Sequence, residues 1–528
     1  MAEKSVFIKE VQIHQSFWGK IKELMHSATK AAGIMLIAAI ASLIIANSGM
    51  YDSFLHVIHT NVGFMVGDHS YTLSVGHIIN DVLMSLFFLL VGLEIKYEMT
   101  VGELTNIRQA LLPIVAAFGG VIVPVGIYLI FNASNPETSH GWGVPTATDI
   151  AFALGIMALL GNRIPSGIRI FLSTLAVADD IIAILVIAIF YGHTPDPLYL
   201  ALAAVVLGLL VVMNRSHIYA LAPYLALGVV LWLFIFLSGV HATIAGVLLA
   251  LTIPSGSRVN LRGFISWSDD TIRLAHESFK PDVPVITQKD YIRNVGDLSS
   301  VARQVIPPAT RLERQLYPLV YFAILPLFAL ANADVSLVGA DTSAFFTNPV
   351  LYGVMLGLLV GKPLGIMLFS FVLVKSGLAK LPENVNWMHM LGASILGGVG
   401  FTMAIFVSGL AFHDPDTITT AKAGILIAST LAGILGFMIL NIQAQHAARK
   451  GVSYLTVMPD NTPAQTFDEE AHELAELVAE DAGVLDQLEA FAKKDEPVEL
   501  VVTLPMDTEE SLVDALQCAW DKTYRKKD

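Results

Sequence analysis

Charge is scarce in this chain: Asp, Glu, Lys and Arg make up 14% of its 528 residues, and hydrophobic residues 55%. Soluble domains carry about 25% charged residues. The shortage argues against a soluble enzyme and points to a polytopic membrane protein. Cysteine is scarcer still, with Cys518 alone, which excludes an intramolecular disulfide. No zinc-type Cys/His cluster, Walker loop or Gly-x-Ser-x-Gly elbow occurs. Met1 to Ser27 is polar, with charges of both signs and no short apolar core, so no cleavable signal is expected.

Basic residues are also missing in a pattern. Stretches 48–77, 132–143, 191–197, 334–348 and 413–417 contain no Lys or Arg. They alternate with loops that carry Lys96 and Arg108, then Arg163, Arg215, a long charged stretch, and Lys375 with Lys380. Twelve apolar segments lie between, near 28–46, 78–95, 110–131, 144–160, 168–190, 198–213, 219–238, 241–253, 317–333, 349–374, 388–412 and 418–442. The positive-inside rule puts the basic loops in the cytoplasm. Twelve spans then put both termini there too.

The net charge of −14 is concentrated at one end. Residues 453–528 hold 19 acids against 6 bases, a net of −13, which leaves −1 for the first 452 residues. Nucleic acid is not an expected partner. The chain therefore divides into an N-terminal cytoplasmic segment (1–27), a transmembrane domain (28–450) with a charged cytoplasmic insertion (255–311), and an acidic cytoplasmic domain (451–528). In the last of these, Tyr454 to Val457 and Val498 to Leu504 read as strands. Asp468–Lys493 and Thr508–Lys522 read as helices, giving a small α/β fold. Gly63 to Ser74 reads as a hairpin outside the membrane. It is marginal alone and is expected to pair with a second copy, giving a homodimer; a floppy loop is the alternative.

Against this background two adjacent carboxylates stand out. Asp179 and Asp180 sit in the apolar run from Ile168 to Phe190. A carboxylate at the centre of such a helix costs roughly 2.5–3.5 kcal/mol on insertion scales, and a like neighbour adds repulsion. Such residues persist where they face a water-filled cavity, a counter-charge or a bound cation. Adjacent helix positions point about 100° apart. One acid is thus expected to face a bound ion and the other a separate partner. The alternative is a pair of protonated acids hydrogen-bonded inside a bundle.

Three further polar features lie at membrane depth. Pro145-Thr146-Ala147-Thr148-Asp149-Ile150 opens the fourth segment, and Gly397-Gly398-Val399-Gly400-Phe401-Thr402 interrupts the eleventh. Irregular backbone in a bilayer must line a cavity or be buried in protein, and paired interruptions mark a transporter's midplane site. Close glycine packing is the other reading of the eleventh segment, and a simple helix cap the other reading of Asp149. Lys362 lies well inside the tenth segment, too far from its ends to snorkel easily, and needs a carboxylate partner. Carboxylates in a water-poor cavity hold protons near neutral pH. A hard cation such as sodium needs the same oxygens, so a proton and a cation compete. Competition at one alternating-access site couples the two flows.

From about Ala28 to Leu440 the chain resembles the bacterial NhaA-type sodium/proton antiporters. The matching stretches are Ile79-Asn80-Asp81, Phe87 to Glu94, Ala147 to Gly155, Ala178-Asp179-Asp180, Ser238 to Thr243, Gly361 to Gly365 and Gly400 to Met403. The resemblance implies an all-α membrane protein of twelve helices in inverted repeats, with two interrupted helices crossing near the site. It implies that Asp179 and Asp180 bind Na+ and protons, with Asp180 the closest ligand. Asp149 and Thr148 would lie at the helix break and share in ion and proton binding, Lys362 would pair with Asp179, and Asp81 would lie on the cytoplasmic approach. The paired acids imply electrogenic exchange. Na+, Li+ and H+ are the implied substrates, no cofactor is implied, and the bacterial inner membrane is the implied location. Glu94, Glu98 and Glu313 match the family's pH-sensing acids. Arg314, followed by Tyr317, stands where the family has a histidine, which leaves the set-point open. His241 matches a family histidine in a periplasmic loop; a helix cap is its other reading. The insertion and the acidic tail lie outside the basic pattern.

Two other classes fit the sequence less well. An intramembrane aspartyl protease needs a Gly-x-Gly-Asp motif, which is absent. A channel is disfavoured by a lysine within the cation site.

Overall fold

The computed structural model describes residues 27–66, 69–105, 107–192, 195–336, 347–449, 452–457 and 498–503. Most apolar runs form helices of membrane length. The Ser166–Phe190 helix has 25 residues, about 37 Å at 1.5 Å per residue. Among the described residues, eight helices are long and apolar enough to cross a membrane, or nine if one bent pair counts as a single span. Their outward faces are apolar: Ile130 is 79% exposed, and Ile37, Ile44 and Ile189 are each more than 60% exposed. Such faces suit hydrocarbon and not water.

The chain separates into two compact units, each assembled from distant stretches. One holds the chain up to Ala110, Asp180–Phe345 and Ile405–Thr419. Here the Met84–Thr100 and Thr243–Thr252 helices pack closely. A Cβ added to Gly92 would fall 2.7 Å from Ala250 Cβ, so only glycine allows this approach. The Ile78–Leu83 turns just before the first of these helices are π-wide.

In the same unit the Asn61–Val66 and His69–Ser74 strands pair antiparallel, from Asn61 opposite Ser74 to Val66 opposite His69. The charged insertion folds as two helices, Leu261–Ser278 and Lys289–Val305. The next helix begins at Pro308 and runs through a π-wide turn at Val320–Ile324 to Asn332. This corrects the expected ninth segment, which was placed at 317: Arg311, Glu313 and Arg314 made its first turns read as loop.

The other unit holds Leu111–Asp179, Phe346–Ala404 and the chain from Thr420. Its core joins Leu112, Met157, Phe171, Leu175, Ile366, Met390 and Leu440, all nearly inaccessible. In two of its apolar segments the backbone leaves helical geometry. His140–Thr146 is a tight 3₁₀ stretch, Ala147 and Asp149 are extended, and an α-helix runs only from Ile150 to Ala158. The expected helix over 144–160 is thus shortened at its start. The Trp387–Gly397 and Phe401–Ala411 helices meet at a 44° bend. After Arg449, the Val452–Val457 and Val498–Thr503 strands pair antiparallel. The helices expected at 468–493 and 508–522, and residues 1–26, lie outside the described residues.

Candidate functional site

The two non-helical stretches place free backbone groups at membrane depth, and charged side chains meet them. Asp149 is the N-cap of the Ile150–Ala158 helix, and its Oδ1 accepts from Phe152 N at 3.0 Å. Its Oδ2 accepts from Thr402 N at 3.1 Å and Thr402 Oγ1 at 2.5 Å. One carboxylate therefore satisfies the N-terminal amides of two helices, where the dipole favours negative charge. Asp149 N donates to Val399 O at 2.7 Å, and Ser429 Oγ accepts from Phe401 N at 3.1 Å. The two breaks thus satisfy each other's backbone.

Lys362 begins the helix that follows the π-wide turn at Gly357–Gly361. Its side chain is fully buried. Nζ lies 2.7 Å from Asp179 Oδ2 and also donates to Thr148 Oγ1 and to Thr146 O, the last carbonyl of the 3₁₀ stretch. The cation thus sits at a helix C-terminal end, where the dipole favours it. Thr148 Oγ1 lies 2.6 Å from Asp179 Oδ2 and 3.0 Å from Gly397 O. Asp179 Oδ1 is buried and accepts no hydrogen bond. An ion pair taken out of water costs several kcal/mol per ion unless its other donors and acceptors are satisfied. All three ammonium protons have acceptors here, and one carboxylate oxygen has none. That oxygen could accept a proton or a cation. Asp180 is also buried, at 3% exposure, on the next position of the same helix. Among the described residues, no three His, Cys, Asp or Glu side chains form a metal cluster.

The other expected residues belong to the first unit. Asp81 is half-buried within the π-wide turn, and its carbonyl accepts from Ser85 Oγ, which in turn accepts from Trp232 Nε1 at 2.9 Å. Glu94 accepts from the Tyr321 hydroxyl and lies within electrostatic reach of Glu98 and Glu313. Glu313 feels Arg314, and the Tyr317 ring packs on Tyr321 at 4.4 Å. The three acids are therefore brought together. His241 Nε2 pairs with Tyr191 O at 2.7 Å and lies within electrostatic reach of Asp81. The sequence placed Thr402 in the interruption but gave it no role, and Ser429 and Tyr321 were missed. A threonine directly after the glycine run, at a helix start, was the available sign for Thr402.

Membrane-length helices around a buried aspartate–lysine centre define a polytopic membrane protein with a charged core. The chain belongs to the Na+/H+ antiporter 1 family, whose profile matches residues 22–440. It is 41% identical to the Na+/H+ antiporter NhaA of Wolinella succinogenes over 447 residues, covering 84% of this chain and 98% of that protein. The NhaA of Janthinobacterium sp. is 42% identical, over 79% of this chain and 91% of its own length. That of Helicobacter pylori is 41% identical, over 81% and 97%.

Proposed function

We propose that this chain is a multi-pass antiporter of the bacterial inner membrane that expels cytoplasmic Na+, and Li+, in exchange for external protons. The family supports the transported ions. The observation that carries the mechanism is the buried Lys362–Asp179 pair, with one unpartnered carboxylate oxygen, at a place where backbone leaves helical geometry. Asp179 and Asp180 are the shared ion and proton ligands, and Asp180 is the closer one to sodium. Thr148 and Asp149 hold the site's shape, and Lys362 neutralises Asp179 while sodium is absent. Asp81, just inside the 48–77 loop and within electrostatic reach of His77 and His241, lies at the external end, on the cation's exit and not on the cytoplasmic approach first expected. Protons and cation compete for the same oxygens, and the two acids make the exchange electrogenic.

Nine candidate spans, counting the bent pair as one, with three shorter apolar helices (150–158, 221–237 and 243–252) beside them, support a reading of twelve crossings. That number, with the basic loops inside, leaves both termini in the cytoplasm. Glu94, Glu98 and Glu313 regulate the exchange by pH, and the 61–74 hairpin joins two protomers. Purified protein in proteoliposomes, given an imposed Na+ gradient, tests this reading. It expects proton movement opposite to sodium, and labelled-sodium counterflow. Sodium movement without protons, or none at all, would overturn it.

A further inference from the structure

The two insertion helices carry an apolar surface that the transport mechanism does not use. On the first, Leu261, Ile265 and Ile272 recur at helical spacing and are 60%, 54% and 53% exposed. They lie about a quarter-turn from buried Thr271 and Ala275. On the second, Ile292 and Val295 are 44% and 40% exposed, about a quarter-turn from half-buried Tyr291 and Leu298. The helices form a hairpin, with Asn294 Nδ2 donating to Ser278 Oγ at 3.4 Å and Phe279 packed on Tyr291. In a hairpin the two quarter-turns open to the same side, so the apolar positions share one face. Leu274 is the exposed apolar residue on the opposite side.

The tip extends the same character, with Val285 at 50% and Ile286 at 84% exposure. It is a built loop. The buried Gln288 side chain donates to Lys280 O and Val283 O at 2.8 and 2.7 Å and accepts from Lys280 N at 2.9 Å. A loop braced in this way holds its apolar residues in water unless something covers them. The base of the hairpin is closed by Ala309 N donating to Pro254 O at 3.2 Å. That bond joins the ends of two apolar helices, Thr243–Thr252 and Pro308–Asn332. The apolar face therefore begins where the chain leaves the bilayer. Exposed Arg262, Lys289 and Arg303 border the apolar positions, with Asp269 the acid among them, and Asp270, Asp290 and Asp297 lie toward the other side.

We propose that this hairpin is a lipid-docking element: Leu261, Ile265, Ile272 and the Val285-Ile286 tip lie at the headgroup–acyl boundary of a leaflet containing anionic lipid. Amphipathic helices with basic borders bind such interfaces through apolar burial and headgroup attraction. The acidic 451–528 segment is the competing occupant, and the experiment separates the two.

Full-length protein with Cys518→Ser and one of Ile265→Cys, Ile286→Cys or Asp297→Cys is labelled with an environment-sensitive fluorophore. It is reconstituted in nanodiscs of phosphatidylcholine and phosphatidylglycerol, with and without brominated acyl chains. The expected result is blue-shifted emission, quenched by bromolipid, at Ile265→Cys and Ile286→Cys. Asp297→Cys stays unquenched, and the shift weakens without phosphatidylglycerol. Absence of quenching at both apolar positions overturns the proposal. So does a shift that is insensitive to bromolipid and disappears on truncation after Lys450, because the tail is then the cover.

Discussion

Lys362 Nζ and Asp179 Oδ2 lie 2.7 Å apart, and both side chains are essentially inaccessible to solvent. An ion pair so placed is costly to break from one side. Replacing Lys362 by Ala leaves a buried carboxylate uncompensated and should lower stability by about 3–5 kcal/mol. Adding Asp179→Leu should recover part of the loss, because neither charge then remains. Thermal unfolding of the single and double variants checks this; a double variant less stable than Lys362→Ala would contradict it.

Asp149 caps two helices at once. Asp149→Ala should cost about 1 kcal/mol or more for each lost cap, while Thr402→Val removes the 2.5 Å hydroxyl bond alone. Melting temperatures should fall for both, and further for Asp149→Ala. A Thr402→Val variant as destabilised as Asp149→Ala would show that the amide contacts carry nothing.

The Tyr51 hydroxyl donates to Asp334 Oδ2 at 3.3 Å. Burial and the Asp334 carboxylate push the Tyr51 phenol from 10.0 up to about 12. A pKa raised by folding means the contact stabilises fully below pH 10, and this contribution is lost between pH 10 and 12. Both side chains are only partly buried, so solvent screening keeps the effect on stability small. The ultraviolet phenolate titration of wild type minus Tyr51→Phe should rise near pH 12. A rise at the ordinary tyrosine value would show that the contact is not made in solution.

The paired strands 61–66 and 69–74 form a two-stranded sheet. Such sheets are marginal alone, and their edges invite a second copy. Deleting residues 61–74 should therefore shift purified protein from dimer to monomer in mass photometry while sodium-driven proton movement persists. An unchanged dimer population would remove the hairpin from the interface.

What the sequence made legible follows from what is local. Unbroken apolar runs read well: the segments placed at 168–190 and 349–374 correspond to helical stretches at 166–190 and 349–375. The two Gly- and Pro-containing stretches coincide with the non-helical backbone, since Pro145 and the 397–400 glycines are local signals. The partners of Asp149 were not legible. Thr402 lies 253 positions away in sequence, and nothing in a single chain names so distant a contact. The π-wide turns at 78–83, 320–324 and 357–361 have no periodicity of their own. The start of the helix at Pro308 was hidden by its charged first turns.

Competition between proton and sodium for one set of buried oxygens is tested most directly at Asp180. Its neighbour's Oδ1 accepts no hydrogen bond, and the pair holds the only acids of its helix. Asp180→Asn keeps the shape and removes the charge and the exchangeable proton, and the protein should still fold and insert. The measurement is proton release from purified protein on adding sodium, titrated from acid to alkaline pH. Wild type should release protons, with apparent sodium affinity strengthening as pH rises and then levelling off, and Asp180→Asn should release none. Sodium-induced proton release from Asp180→Asn with ordinary affinity would contradict shared ligation at this residue.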